Sequence, residues 1–298
     1  MENLVIGVIK DYDFTHVEPW VNSLRMTGYK GDVLVIDASE QENVKLNETL
    51  TLLGVHYISM KASGSANFMV KRFILLYYVL SLEPFRKAKN LCVTDVRDVI
   101  FQADPTNFMR TRGINVETEG LTYECEPWSR ANFQEVLGEI PWNKHRNRWI
   151  KCAGVIGGQT EILKDLFFTI YTMSLGLQQY PKGGGGPDQS VMNMILGMDV
   201  WMDKTNFLQG DVLHAGTCLD AVLSGSGEIG HQYLNSFDKN KFIEDFKRDS
   251  GQYPAKLIDG KIINTQTNKP FTIVHQYDRV NEWRDIHKQY RNKLNVST

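Results

Sequence analysis

The sequence predicts one α/β domain with a mainly parallel central sheet and helices on both of its faces. Short apolar runs alternate with segments of helical spacing through the first 105 residues, which is typical of a parallel sheet covered by helices. Two of these runs end on aspartates, Asp37 and Asp95, as strands do at the ligand edge of an open sheet. The composition, 42% hydrophobic and 23% charged, is that of an ordinary globular protein with a sizeable core.

The length and charge of the chain limit its organisation and its partners. A chain of 298 residues permits one domain or two, and because no repeat or long polar linker divides it, we predict a single domain over 1–298. A formal net charge of −2 gives no basic surface for nucleic acid. No apolar stretch approaches the ~20 residues of an integral membrane segment. The N-terminal segment has no basic lead or cleavage site, which favours a cytoplasmic location, and the oligomeric state stays open.

The cysteines stand far apart in the sequence, at Cys92, Cys125, Cys152 and Cys218. They form no CxxC pair, and most lie in apolar, strand-like runs, which favours buried thiols in a reducing compartment. We therefore predict neither a disulfide nor a zinc site.

The elements of the first half follow a regular order. Gly28 stops the first helix, and Pro84 lies near the end of the longest one, whose apolar body predicts a buried helix with Lys71 and Arg72 inside it. Strands are predicted over 4–10, 31–37, 55–60 and 90–95, and helices over 16–28, 41–54 and 65–85. Residues 1–105 are therefore predicted to form a nucleotide-binding half.

The second half, 106–298, is less regular. A strand is predicted over 121–128, a glycine-punctuated strand and a long helix share 151–180, and a loop and a helix share 181–197. A mixed region covers 206–262, a strand within 270–279 ends at His275, and a polar helical tail follows.

The stretch LCVTDVRDVIFQADP, residues 91–105, runs a buried strand into two carboxylates, Asp95 and Asp98. Both can face one point only if the chain turns between them, and two oxygen ligands on a turn suit Mg²⁺ or Mn²⁺. The alternative is structural, with Asp95 capping the turn and Asp98 paired with Arg97 or Lys89.

Four blocks of the sequence, TDVRDVIFQADP, CAGVIGG, GGPDQSVMN and IVHQYDR, together resemble the nucleotide-sugar-dependent glycosyltransferases of the GT-A fold. The similarity is to the glycogenin-like and lipopolysaccharide-galactosyltransferase-like groups and to related viral and microbial enzymes. It implies a Rossmann-like sheet, with a smaller mixed region in the second half for the donor sugar and the acceptor. It also implies transfer of a hexose or pentose from a nucleotide sugar, with a UDP-sugar as the favoured donor, to a hydroxyl of a glycan acceptor.

The resemblance also implies a metal site. In that family a DxD motif at the end of the central strand holds a divalent cation, Mn²⁺ or Mg²⁺, against the donor diphosphate, and a C-terminal histidine completes the ligand set. Asp95 and Asp98 match the motif with one extra residue between them, so Asp98 is taken as the firmer ligand and Asp95 as a ligand of the metal or the ribose. His275 matches the histidine, and its alternative role is packing.

The resemblance assigns further residues to the donor. Tyr12 and Asp37 lie where the family holds the nucleobase and ribose, and turn formation or packing stays open for both. The small residues of CAGVIGG match the floor of the donor-sugar pocket, since glycine in a strand often marks close approach of a ligand. The implied donor-binding residues are Val8, Ile9, Lys10, Tyr12, Asp37, Arg72, Asp95, Arg97, Ala153 and Gly154.

Three residues are implied in catalysis. Asp188 and Gln189 match the family's DQ pair, which reaches the sugar or the reaction centre, and Arg72 matches a basic residue near the donor. Asp188 could instead cap a helix after Pro187, and Arg72 could pair with a core carboxylate. Further candidates are Glu124 and Glu126, as a base for the acceptor hydroxyl, and His214, near the diphosphate.

Two other functions stay open on the sequence alone. A sugar-1-phosphate nucleotidyltransferase shares an α/β nucleotide fold, but it needs a glycine-rich loop after the first strand, which IKDYDFTH does not supply. A non-catalytic nucleotide-sugar or glycan-binding protein would keep the fold without the chemistry, and a turnover assay separates it from an enzyme.

Overall fold

Strands and helices alternate through the first half of the chain, as the apolar pattern predicts. The computed structural model describes residues 1–182, 184–208, 210–218, 240, 243–244 and 254–292. Within them the strands are β1 (Asn3–Ile9), β2 (Asp32–Asp37), β3 (His56–Ser59), β4 (Asn90–Thr94), β5 (Val99–Phe101), β6 (Ile114–Thr122), β7 (Trp149–Lys151), β8 (Val155–Gln159), β9 (Thr205–Leu208), β10 (Val212–His214), β11 (Ala255–Ile258), β12 (Lys261–Asn264), β13 (Lys269–Pro270) and β14 (Ile273–His275). The α-helices are α1 (Phe14–Met26), α2 (Val44–Leu52), α3 (Phe68–Val79), α4 (Thr106–Arg110), α5 (Pro127–Leu137), α6 (Glu139–His145), α7 (Thr160–Ser174), α8 (Asp188–Leu196) and α9 (Asp199–Met202).

The central sheet joins eight strands in the order β3, β2, β1, β4, β8, β6 and β7, with β9 paired to β6. The first four of these strands run parallel to one another. β8 runs antiparallel to both of its neighbours, β4 and β6, and β9 runs parallel to β6. The sheet is therefore mostly parallel, which confirms the predicted α/β class.

Each face of the parallel strands is covered by helices. Successive side chains of a strand point to opposite faces, and the two faces of β1 accordingly belong to different cores. Leu4 is buried in one core with Phe73 of α3, and Val5 is buried in the other with Val17 of α1. The carboxyl ends of these strands are thus left as one edge between two layers of helices.

A second, smaller sheet lies next to that edge. It consists of β10, β14 and β5, with β14 parallel to β10 and antiparallel to β5. The pairing sets His275 opposite His214 on one side and opposite Val99 on the other. Because β5 follows β4 after one turn, this sheet brings the end of β14 to the end of β4. A third sheet, β11, β12 and β13, is antiparallel.

Two strand predictions in the second half are wrong in their boundaries. The strand predicted over 121–128 is the end of β6 followed by a turn and by α5, because the carboxylate of Glu126 accepts from the N–H groups of Trp128 and Ser129 and so begins a helix. The strand predicted from residue 151 is two strands, β7 and β8, with a turn at 152–154 between them.

The long predicted helix and the tail also differ from expectation. The helix predicted over 65–85 covers only Phe68–Val79, because Asn67 caps its start and the chain leaves the helix before Pro84. The predicted helical tail forms short 3₁₀ turns at Tyr277–Arg279 and Ile286–Tyr290. The last residues of the tail, 293–298, and much of the predicted mixed region 206–262 lie outside the described residues. None of the helices that the structure describes has the length and apolarity needed to cross a bilayer.

Candidate functional site

Two carboxylates and one imidazole converge at the carboxyl end of β4. Asp95 follows the last residue of β4 and Asp98 precedes β5, so the turn between these strands presents both side chains. The Nε2 atom of His275, at the end of β14, lies 3.3 Å from Oδ2 of Asp95 and 4.0 Å from Oδ1 of Asp98. The ligand atoms of the three residues all lie within 4.8 Å of one another, a spacing that fits a single cation.

Backbone hydrogen bonds hold these side chains in register. The N–H of Asp95 donates to the carbonyl of Gly154 at 2.8 Å, and the N–H of Gln276 donates to the carbonyl of Asp98 at 2.7 Å. The pairing of His275 with Val99 fixes the third ligand in the same way. The convergence is therefore set by the ladder between strands, which is more rigid than a set of long side chains.

The residues fit a hard divalent cation such as Mn²⁺ or Mg²⁺, which takes carboxylate oxygens, with imidazole as a ligand that Mn²⁺ also accepts. The Nε2 atom of His275 is buried and makes no well-aligned hydrogen bond among the described residues, although it faces two carboxylates. A methyl group at Gly154 would lie 2.5 Å from Cε1 of His275 and 2.9 Å from Oδ2 of Asp95. Glycine at this position therefore keeps the space between the ligands open.

The two aspartates differ in how their charge is balanced. Burial alone would raise the pKa of Asp95, but Arg72 and His275 outweigh it and lower that pKa to about 2. Burial raises the pKa of Asp98, and its attraction to His275 only partly opposes this. A bound cation would supply the positive charge that Asp98 lacks in the protein alone.

Arg72 connects the end of β4 to the start of α8. Its Nη1 donates to Oδ1 of Asp95 at 2.5 Å, and its Nη2 donates to Oδ2 of Asp188 at 2.8 Å and to the carbonyl of Ala153 at 3.2 Å. The guanidinium does pair with core carboxylates, the alternative given above, and both partners are predicted site residues. Pro187, and not Asp188, occupies the N-cap position of α8.

Gln189, the second residue of α8, is held at both ends of its amide. Oε1 accepts from the N–H of Ala153, and Nε2 donates to Oε1 of Glu119, both at 3.1 Å. Glu119, whose pKa burial raises to about 7, is not among the residues predicted from the sequence. The sequence signal for it is the pair Glu117 and Glu119, two acids at a spacing of two within the run INVETEGLT.

The other nitrogen of the His275 ring faces a thiol and a second imidazole. Nδ1 of His275 lies 3.4 Å from Sγ of Cys152, a free thiol, and 3.1 Å from Nδ1 of His214. Ligand atoms of these three buried residues again lie within 4.8 Å of one another. Burial raises the pKa of Cys152 to about 11 and lowers the pKa of His214.

The residues predicted to hold the nucleobase are engaged within the fold. Asp37 is fully buried, and its carboxylate accepts from the N–H of Ser39 at 2.9 Å and from the hydroxyl of Tyr57 at 2.6 Å. The ring of Tyr12 stacks on His16 with 5.0 Å between centroids. These contacts agree with the turn and packing roles that the sequence left open for both residues.

The remaining predicted residues lie around the edge of the site. Val8 is half-buried, Ile9 is buried and Lys10 is exposed, all at or just after the end of β1. Nη2 of Arg97 lies 3.6 Å from Oδ2 of Asp278, and no ion pair within 4.0 Å joins Arg97 to Asp98 in the described part of the chain, although Asp98 attracts its charge.

The two glutamates predicted as possible bases have other partners. Glu124 lies 3.8 Å from Arg130 in an exposed pair, and Glu126 caps α5. Neither carboxylate is among the groups that converge on His275.

No protein-family model matches the chain, and no curated protein matches it as a relative. Its function is therefore inferred from the geometry of the site and from the four sequence blocks.

Proposed function

We propose that this protein is a metal-dependent glycosyltransferase of the GT-A type. It transfers a hexose or pentose from a nucleotide sugar, with a UDP-sugar as the favoured donor, to a hydroxyl of a glycan acceptor. The observation that carries the proposal is the convergence of Asp95, Asp98 and His275 at the end of β4. These are the three residues that the sequence resemblance implies as metal ligands, and they come from blocks far apart in the chain.

The position of this group within the fold supports a nucleotide ligand. Open α/β sheets bind ligands outside the carboxyl ends of their parallel strands. β3, β2, β1 and β4 end at the edge where Asp95 and Asp98 lie. Arg72 adds a positive side chain at the same edge.

The chemistry of the reaction matches such a site. When the bond between a sugar and a nucleoside diphosphate breaks, negative charge develops on the β-phosphate while the sugar becomes oxocarbenium-like. Asp95, Asp98 and His275 would hold Mn²⁺ or Mg²⁺, which would supply positive charge to stabilise this leaving group. Arg72 holds Asp95 in the orientation that the site requires.

The start of α8 would bind the donor sugar. Asp188 is held by Arg72, and the amide of Gln189 is fixed between the N–H of Ala153 and the carboxyl group of Glu119. Polar groups that are already oriented before the substrate binds lose little freedom on binding, which favours both affinity and rate.

The proposal is tested by incubating the full chain with a panel of UDP-sugars and glycan acceptors, with and without Mn²⁺. We expect release of UDP that depends on Mn²⁺, and a rise in the thermal unfolding midpoint with UDP only when Mn²⁺ is present. Binding without UDP release would favour the non-catalytic alternative. Neither release nor binding with any donor would contradict the proposal.

A variant at Asp98 tests the metal assignment itself. Loss of even an indirect partner of a metal site typically lowers metal affinity or activity by about 10- to 100-fold. Asp98→Ala removes a direct ligand and is therefore expected to weaken Mn²⁺ binding by at least about 100-fold. It should abolish turnover while the circular dichroism spectrum stays unchanged. Asp165→Asn, which alters an exposed aspartate on α7, serves as the control. Unchanged turnover in Asp98→Ala would remove Asp98 from the site.

A further inference from the structure

We infer that Cys152, His214 and His275 form a second metal site, which binds Zn²⁺ and shares the His275 ring with the carboxylate site. Cys152 lies in the turn between β7 and β8, His214 ends β10, and His275 ends the neighbouring strand β14. The zinc site does not rest on the proposed function, whereas its exclusion of Mn²⁺ from the carboxylate site does.

Two of the three separations between these side chains are close to those of a zinc tetrahedron. With Zn–S near 2.3 Å and Zn–N near 2.05 Å, tetrahedral angles set sulfur and nitrogen about 3.6 Å apart and two nitrogens about 3.3 Å apart. The observed separations are 3.4 Å between Sγ of Cys152 and Nδ1 of His275, and 3.1 Å between Nδ1 of His214 and Nδ1 of His275. A cation would therefore need only small adjustments of side chains that already face one another.

The ligand set selects zinc over the hard cations. One thiolate and two imidazoles suit Zn²⁺, whereas Mn²⁺ and Mg²⁺ prefer oxygen ligands. Three protein ligands leave a fourth position for water. The N–H of Gly154 donates to Sγ of Cys152 at 3.4 Å, which helps to stabilise a negatively charged sulfur. Binding replaces the proton of the Cys152 thiol, and that proton is released to solvent.

Asp95 supports the same site from the far side of the ring. When Nδ1 of His275 binds a cation, its Nε2 carries the ring proton and faces Oδ2 of Asp95 at 3.3 Å. A histidine that binds zinc usually donates its second N–H to a carboxylate in this way. Arg72 holds that carboxylate in place.

The shared ring makes the two sites mutually exclusive. A neutral imidazole offers a lone pair at one nitrogen and carries a proton on the other. Zn²⁺ at Nδ1 leaves the proton on Nε2, and it thereby removes a ligand from the site formed with Asp95 and Asp98. Zn²⁺ would therefore displace Mn²⁺ without occupying the carboxylate site, and it would act as an inhibitor of the proposed reaction.

Cobalt reports directly on the zinc site, because Co²⁺ takes the same ligands and has visible absorption. The full chain is freed of metal by chelation, kept reduced and titrated with Co²⁺. We expect a thiolate-to-cobalt charge-transfer band and the intense visible bands of tetrahedral Co²⁺, both of which disappear on addition of one equivalent of Zn²⁺. A folded wild-type protein that gives no charge-transfer band would overturn the site.

Matched variants assign the ligands. Cys152→Ser should lose the charge-transfer band, and His214→Gln should weaken Co²⁺ binding by at least about 100-fold. Cys125→Ser, at a partly exposed cysteine outside the site, and Asp98→Ala, at the carboxylate site, should both keep the band. A band that survives in Cys152→Ser would overturn the assignment.

The exclusion is tested by electron paramagnetic resonance of bound Mn²⁺. One equivalent of Zn²⁺ should release Mn²⁺ from the wild-type protein and should fail to do so from Cys152→Ser. Equal release from both proteins would show competition at the carboxylates and would overturn the exclusion. If the wild type binds no Mn²⁺, the proposed function and the exclusion both fail, while a cobalt band would still support the zinc site.

Discussion

The two nitrogens of His275 face surroundings of opposite character. On the Nε2 side, which we term the carboxylate side, the side chains of Asp95 and Asp98 are 29% and 13% exposed. On the Nδ1 side, the thiol side, Cys152 and His214 are only 3% and 1% exposed. One ring thus joins an ionic region that is partly open to solvent to a closed region of sulfur and nitrogen donors.

Burial raises the pKa of the carboxyl groups on both sides, and of Asp95, Asp98, Glu117 and Glu119 only Asp95 has neighbouring charges that outweigh it. On the carboxylate side, Arg72 and His275 lower the pKa of Asp95 to about 2 although burial opposes them. Behind the thiol side, β6 carries Glu117 and Glu119, and burial raises their pKa values to about 8 and about 7, because the hydrogen bonds that they accept do not offset it. Each region can be disturbed separately.

Removing the guanidinium should have the largest effect, and it should act on the carboxylate side. Arg72→Met leaves Asp95 and Asp188 buried without their counter-charge. Removing one partner of a buried ion pair typically costs about 3–5 kcal/mol, and we expect a loss of that order in the free energy of unfolding. Urea denaturation at neutral pH measures it.

The control for Arg72 is an arginine in an exposed pair. Arg110 lies 3.3 Å from Glu2, and both side chains are more than half exposed, so Arg110→Met should change stability by less than about 1 kcal/mol. Adding Asp188→Asn to Arg72→Met should recover part of the loss, because one unpaired charge is removed. Equal losses in Arg72→Met and Arg110→Met would contradict the electrostatic account of the carboxylate side.

The carboxylate side could be predicted from the sequence, and the thiol side could not. Asp95, Asp98 and His275 each adjoin a short apolar run, so the local pattern marks them as residues at strand ends, and the family resemblance implies that they share one metal. The contacts of His275 with Cys152 and His214 depend on the pairing of β10 with β14 and on the turn after β7. Such pairings are non-local, so no spacing in the sequence records them.

The same distinction holds for the fold. The first half alternates strand and helix with clear periods, and every predicted strand there is present within one or two residues of its predicted bounds. In the second half the strand predicted over 121–128 begins later than β6 does, because Glu117 and Glu119 interrupt the apolar pattern although both are buried. Buried polar residues therefore make a strand difficult to recognise from its apolar pattern.

Glu117 offers a test of the charge state behind the thiol side. Its folded pKa, about 8, lies above the ordinary value of 4.5, so the folded protein binds this proton more tightly than the unfolded chain does. Its contribution to stability is therefore fully present below pH 4.5 and is lost as the pH rises through 8. Between pH 5 and pH 9 we expect the wild type to lose about 4 kcal/mol from this group.

The variant Glu117→Gln cannot ionise, so its free energy of unfolding should fall less steeply with pH than that of the wild type. Urea denaturation at a series of pH values measures the difference. Glu161→Gln, at a side chain that is 79% exposed, should leave the slope as it is in the wild type. Parallel slopes for the wild type and Glu117→Gln would mean that Glu117 is ionised in the folded protein.

Gly154→Ala should have the smallest effect on stability and should act on both sides of His275 at once. The added methyl would lie 2.5 Å from Cε1 of His275 and 2.9 Å from Oδ2 of Asp95, so the ring or the carboxylate must move. Overpacking of this kind costs about 1–3 kcal/mol, and we expect a loss near 2 kcal/mol in the free energy of unfolding, measured by urea denaturation.

Because the ring is shared, Mn²⁺ and Co²⁺ should both bind more weakly to Gly154→Ala, whereas Asp98→Ala should weaken the binding of Mn²⁺ alone. Gly176→Ala, whose methyl would meet no atom within 4 Å, should change neither the stability nor the binding of either cation. Weaker binding of only one cation in Gly154→Ala would argue against a ring shared by two sites.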